Sequence, residues 1–119
     1  MLCGSVNEVD TLLRQKRKAS SQLWQESKKK LIQIKQMQKI INEIQNAEHY
    51  SALLAAAKKG ISLSQKHPAF LSKFYYFKGY GYEFSNNQYQ KATANYELSL
   101  KYAKQARHLK IETNTLMRL

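Results

Sequence analysis

Only five residues, Gly4, Gly60, Pro68, Gly79 and Gly81, are glycine or proline in a chain of 119. A small sheet protein needs that kind of punctuation at every turn, whereas Lys, Gln, Leu, Ala and Glu, which dominate here, favour helix. The expected fold class is therefore all-α. With 43% hydrophobic residues the chain can bury a core, although a domain this short hides only about two-thirds of its unfolded surface. Cys3 stands alone, so no internal disulfide framework and no paired-cysteine zinc site is expected, and a reducing compartment fits. No stretch approaches the roughly 18 apolar residues of a membrane span, and Met1 to Asp10 lacks a basic start followed by an apolar run. The expectation is a cytoplasmic protein without a membrane partner.

The spacing of apolar residues predicts the helices. Val9, Leu12 and Leu13 suggest a short first helix over residues 6–18. Ser20 and Ser21 offer N-cap oxygens for a second start. From there Leu23, Trp24, Leu31, Ile34, Met37, Ile40, Ile41 and Ile44 form one stripe down a long helix ending near Gln45. Asn46 and Glu48 mark a break. A helix from His49 to Gln65 follows, with Pro68 closing it, and an aromatic helix then starts near Ala69. Ser85-Asn86-Asn87-Gln88 reads as a turn. Another helix runs from Tyr89 to about Arg107, and a last one begins near Ile111.

Laid on itself at an offset of 39 residues, the chain places Tyr50 over Tyr89, Leu53 over Ala92, Ala57 over Tyr96, Gly60 over Ser99 and Leu63 over Tyr102. Each copy is an apolar helix, a short turn, and a second helix that starts on an aromatic residue and carries a small one ten places on. A small side chain lets two helices approach closely, and aromatics a turn or two away fill the wedge that opens.

This arrangement resembles the tetratricopeptide repeat (TPR). Met37, Ile40, Ile41, Ile44, Tyr50, Leu53, Ala57 and Gly60 match one copy. Tyr76, Gly79, Tyr80, Glu83, Tyr89, Ala92, Tyr96 and Ser99 match the next. The first helices depart from the family pattern. Ile41 and Tyr80 stand where it has a small residue, Gly79 falls one place before that position, and Glu83 takes an aromatic slot. The pitch exceeds the usual 34 or so residues, as in the long repeats of bacterial peptide-sensing regulators. The run from Phe74 to Phe84, with Tyr89 and Ala92, is similar to the first repeat of the Rap family of response-regulator phosphatases. No counterpart of that family's catalytic glutamine aligns.

The resemblance implies antiparallel helix hairpins stacked as a short α-solenoid. A helical segment over 1–30 would be followed by repeats over 31–68 and 69–108, with a partial third over 109–119. Because repeats bury their apolar faces on neighbours, Leu116, Met117 and Leu119 are expected to be partly uncovered. A fragment, a truncated reading frame or a chain that completes itself by self-association at this end would each account for that.

In this family ligands lie against the first helices. Carried over residue by residue, the groove would comprise Lys35, Gln38, Asn42 and Gln45, then Phe74, Phe77, Gly81 and Phe84, then Asn114. An Asn such as Asn42 can pair with both the C=O and the N–H of an extended peptide, and Lys35 can meet a carboxylate.

Lys and Arg number 20 against 8 Asp and Glu, a net charge of +12. Lys28, Lys29 and Lys30 lie on the polar face of the long helix, and Lys101, Lys104, Arg107 and Lys110 recur further on. Such an excess favours an acidic protein or peptide partner, or nucleic acid backbone. His49, His67 and His108 have no acidic or cysteine neighbour at metal-ligand spacing. The serines lack an acid–base partner in sequence. Gly79-Tyr80-Gly81 lies inside a helix, not after a strand, so it is no phosphate loop. The expected function is protein or peptide binding without chemistry, cofactor or metal, and the resemblance implies part of a bacterial peptide-sensing regulator of a response regulator or of transcription. Two rival expectations are a basic nucleic-acid-associated protein and a small self-associating helical protein.

Overall fold

The computed structural model describes residues 2–85 and 87–119, with side chains from residue 8 onward. Asn86 of the expected turn and the side chain of Cys3 lie outside the described residues. Five helices follow one another: α1 (Leu2–Gln45), α2 (Tyr50–Leu63), α3 (Pro68–Ser85), α4 (Tyr89–Ala106) and α5 (Leu109–Arg118). No strand occurs among the described residues.

One expectation is overturned at once: α1 is a single helix of 44 residues, with no restart at Ser20 and Ser21. A serine inside a helix costs only about 0.5 kcal/mol relative to alanine. With helix formers on both sides and no glycine or proline nearby, the backbone simply continues. Pro68 also behaves differently from the expectation. It opens α3 instead of closing α2, occupying the first helical position, where a missing N–H costs nothing. The end of α2 is made by Ser64, whose N–H reaches back to Gly60 O and whose Oγ donates to the same carbonyl at 2.7 Å.

The chain divides into two units, residues 1–34 and residues 35–119. In the first, every residue from Glu8 to Ile34 is exposed. Asp10 pairs with Arg14 at 3.1 Å one turn on, and Lys28 Nζ sits 3.7 Å above the Trp24 ring.

The second unit is the packed one. In its core Met37, Ile40, Ile41 and Ile44 of α1 meet Leu53 and Ala57 of α2 and Phe74 of α3. Neighbouring helices run antiparallel. Between α3 and α4, Tyr75 stacks on Tyr102 at 5.7 Å, while Tyr96, nearer the start of α4, reaches Glu83, nearer the end of α3. Between α2 and α3, Gly60 lies against Phe74 and Leu54 against Gly81. The arrangement is all-α, built of helical hairpins with neighbours packed on neighbours. Buried residues recur at the 39-residue offset, Leu53 with Ala92, Ala57 with Tyr96, Gly60 with Ser99 and Ser64 with Ala103.

The α3–α4 turn closes through Asn87, whose φ of 56° suits asparagine, with Gln88 N–H bonded to Tyr82 O at 3.1 Å. Arg107 ends α4 in the same left-handed region, and His108 N–H then reaches Ala103 O at 2.8 Å.

Candidate basic and aromatic groove

The helix α3 has three faces with different tasks. Phe74 and Gly81 turn to α2, where a methyl group on Gly81 would come within 2.8 Å of Leu54. Ser72, Tyr75 and Gly79 turn to α4. A Cβ on Gly79 would lie 2.7 Å from the Tyr96 ring, so Gly79 is the residue that lets α3 and α4 close on each other. The third face carries Lys73, Tyr76, Phe77 and Tyr80, and it is open.

Two adjoining hollows lie along this open face. The first, of about 390 Å³, is walled by Gln38, Ile41 and Gln45 of α1, Lys73, Tyr76 and Phe77 of α3, and His108, Lys110, Ile111 and Asn114 at the start of α5. The second, of about 410 Å³, shares Gln45, Tyr76 and Phe77 and continues over Ile44, Glu48, His49, Tyr50, Leu53 and Tyr80. Together they form one groove with a basic end and an aromatic end. The first hollow has two lysines, a histidine and three side-chain amides, and no carboxylate lines it. His108 caps α5 by accepting the Ile111 N–H on Nδ1 at 3.3 Å, which leaves its proton on Nε2 as a donor. The second hollow has Tyr50 and Tyr80 with centroids 6.4 Å apart, tilted by 51°, and a single carboxylate, Glu48.

The wall formed by Tyr76 and Tyr80 is held from behind by Arg118. Its Nε donates to Tyr76 OH at 2.9 Å and its Nη1 to Glu83 Oε2 at 2.9 Å. The guanidinium plane lies over the Tyr80 and Phe84 rings at 4.9 and 5.3 Å. Glu83 also accepts from Tyr96 OH at 3.2 Å. Glu83 is thus the anion that the last turn of α5 needs. The Tyr96 hydroxyl titrates well above the usual tyrosine range, first because it is buried and then because the Glu83 carboxylate opposes a second negative charge. Burial alone would lower the Arg118 value, but the bond to Tyr76 and the neighbouring Glu83 outweigh it and hold the guanidinium above its ordinary value.

Of the residues expected in a groove, Gln38, Gln45, Phe77 and Asn114 line the first hollow together. Lys35 and Asn42 are exposed on α1 and line neither hollow. Phe84 is exposed beside Arg118. Gly81 is a correction, and so is Phe74: both are buried against α2, so neither can touch a ligand in the groove. The cause is a register error of one residue in α3. Gly79, and not its neighbour Tyr80, is the residue packed against the Tyr96 ring of α4. Moving the pattern back by one replaces Phe74, Phe77, Gly81 and Phe84 with Lys73, Tyr76, Tyr80 and Glu83. Sequence reasoning therefore missed Lys73, Tyr76 and Tyr80 as groove residues, and Gly79 was the signal that places them. His108 and Arg118 left no comparable signal, since their partners lie on other helices.

The basic residues fall in both units. Lys28, Lys29 and Lys30 are exposed in the first. Lys101, Lys104, Arg107 and Lys110 are exposed in the second, where Lys110 also lines the groove. Leu116, Met117 and Leu119 are exposed as expected. Among the described residues no cluster of His, Cys, Asp and Glu is arranged to hold a metal ion, and no helix is long and apolar enough to cross a membrane. No family model, no curated protein and no solved structure matches this chain.

Proposed function

We propose that residues 35–119 are a TPR-like, non-catalytic binding module that takes an acidic segment of a partner protein along the open face of α1, α3 and α5. One observation carries this reading. Three helices distant in sequence bring Gln38, Gln45 and Asn114 together with Lys73 and Lys110 in one hollow free of carboxylates. Side-chain amides satisfy both the donors and the acceptors of an extended backbone, and the lysines compensate acidic side chains. The net charge of +12 draws such a partner in.

The test is a titration of the full chain with fluorescent acidic and neutral peptides and with a single-stranded oligonucleotide, each at two salt concentrations. The acidic peptide is expected to bind, and exchanging Lys73→Glu with Lys110→Glu to weaken it by at least about tenfold, which corresponds to 1.4 kcal/mol. Preference for the oligonucleotide, with a steep salt dependence and sensitivity to Lys101→Glu and Lys104→Glu, would favour a nucleic-acid role instead. The exposed row Lys101, Lys104 and Arg107 is what keeps that second reading in the experiment.

A further inference from the structure

Resting on the peptide-binding reading, we infer that the groove recognises a two-part signal: an acidic residue and, three positions away in a polyproline II segment, an aromatic one. The acidic residue lies against Lys73 and Lys110, and the aromatic ring packs in the hollow lined by Tyr50, Leu53, Phe77 and Tyr80.

The two ends of the groove differ in chemistry. At the basic end Lys73, in the second turn of α3, and Lys110, in the first turn of α5, line one hollow, and the N–H groups at the start of α5 add positive potential beside Lys110. At the aromatic end, the paired rings of Tyr50 and Tyr80 line a hollow with Ile44, Leu53 and Phe77, an apolar surface against which a flat side chain can pack. Glu48 lines that end and the first hollow has no carboxylate, so an acidic side chain is repelled from the second hollow and attracted to the first. The ligand's orientation along the groove is thereby set.

The spacing follows from helix geometry. Lys73 and Tyr80 are seven residues apart on α3, which at 1.5 Å per residue is about 10 Å. A polyproline II segment advances about 3.1 Å per residue and returns every third side chain to the same face, so about three residues cover that distance with both side chains turned to the groove. Adjacent acidic and aromatic residues cannot reach both ends, and five positions overshoot.

The experiment uses the full chain and capped, labelled alanine-based peptides of one composition, read by fluorescence anisotropy at low salt. The peptides place Glu and Phe adjacent, three apart or five apart, with a Phe→Ala control and a Phe→Lys control. The three-apart peptide is expected to bind at least about tenfold more tightly than its isomers and than the Phe→Ala control. Tyr50→Ala should bring its affinity down to near that of the control, whereas Lys73→Glu should weaken every peptide. Equal binding of the three isomers overturns the two-part signal while leaving acidic-peptide binding intact. Tighter binding of the Phe→Lys peptide overturns the aromatic assignment, because it would make the Tyr50–Tyr80 hollow with Glu48 a cation site. If no peptide binds, the peptide-binding reading falls with it. The isomer series is run on the unaltered chain, so its result does not depend on how well Tyr50→Ala folds.

Discussion

Two crossings in this molecule solve one packing problem in opposite ways. Where α2 meets α3, Gly60 leaves a gap that the ring of Phe74 fills, and a methyl group on Gly60 would run into that ring. Where α4 meets α5, the residue at the same place in the 39-residue offset is Ser99, and it faces Thr115 at 3.3 Å. The first crossing is a large group in a small hole, dry and apolar. The second is a pair of small polar groups, fully buried. Ser99 Oγ donates to Ser72 O at 2.7 Å, and Thr115 Oγ1 donates to Ile111 O at 2.6 Å. Each hydroxyl has one proton. With both committed, the Ser99–Thr115 approach is close packing more than a strong hydrogen bond. Smallness on the second helix is what the two sites share, and the chemistry of the filling is free to differ. The α4–α5 crossing lacks a large apolar plug, so the attachment of α5 rests on buried Ile111 and on Arg118 at its far end.

The comparison can be broken by substitution. Phe74→Ala is expected to cost about 3–5 kcal/mol, because it empties the plug of the α2–α3 crossing. Chemical denaturation measures it, and a loss under about 1 kcal/mol would show that the crossing does not depend on that ring. Gly60→Ala should cost about 1–3 kcal/mol by overpacking the same site, and Gly60→Ala combined with Phe74→Leu should cost less than the sum of the two single changes. At the second crossing, Arg118→Ala should cost about 1–2 kcal/mol, since it leaves Glu83 without its cation and Tyr76 OH without its donor. Faster amide exchange confined to α5 is the expected accompaniment, and unchanged protection there would mean that Ile111 alone suffices. The smallest effect belongs to Ser99→Ala, about 1 kcal/mol, from loss of the bond to Ser72 O. If it proved as costly as Gly60→Ala, the distinction drawn between a plugged and a polar crossing would be wrong.

Much of the fold is legible in the residues because it follows from local periodicity. Of the stripe expected along α1, Met37, Ile40, Ile41 and Ile44 are buried while Leu23, Trp24, Leu31 and Ile34 are exposed, because among the described residues of 1–34 nothing covers it; Leu53, Ala57 and Gly60 are buried and, at the offset, so are Ala92, Tyr96 and Ser99. The helix ends near Gln45, Leu63 and Ala106 fall within two residues of expectation. The site was only half legible. Gln38, Gln45, Phe77 and Asn114 could be placed by pattern, but in α3 eight aromatics crowd one helix, and hydrophobicity alone cannot say which face goes inward. With apolar rings on every side, a rotation of one residue exchanges buried Phe74 and Gly81 for open Tyr76 and Tyr80.

By itself the sequence determined that this chain is helical, where most helices begin and end, and which small residues recur, because those properties depend on backbone propensity and on neighbours within a few residues. The tertiary structure alone decided which face of α3 is open, that Glu83 serves Arg118 and Tyr96, and that Lys73, Lys110 and three amides share a hollow. Those facts arise from contacts between residues up to 76 positions apart, and only close packing of whole helices, down to the missing Cβ of Gly79, selects among the rotations that local pattern leaves equal.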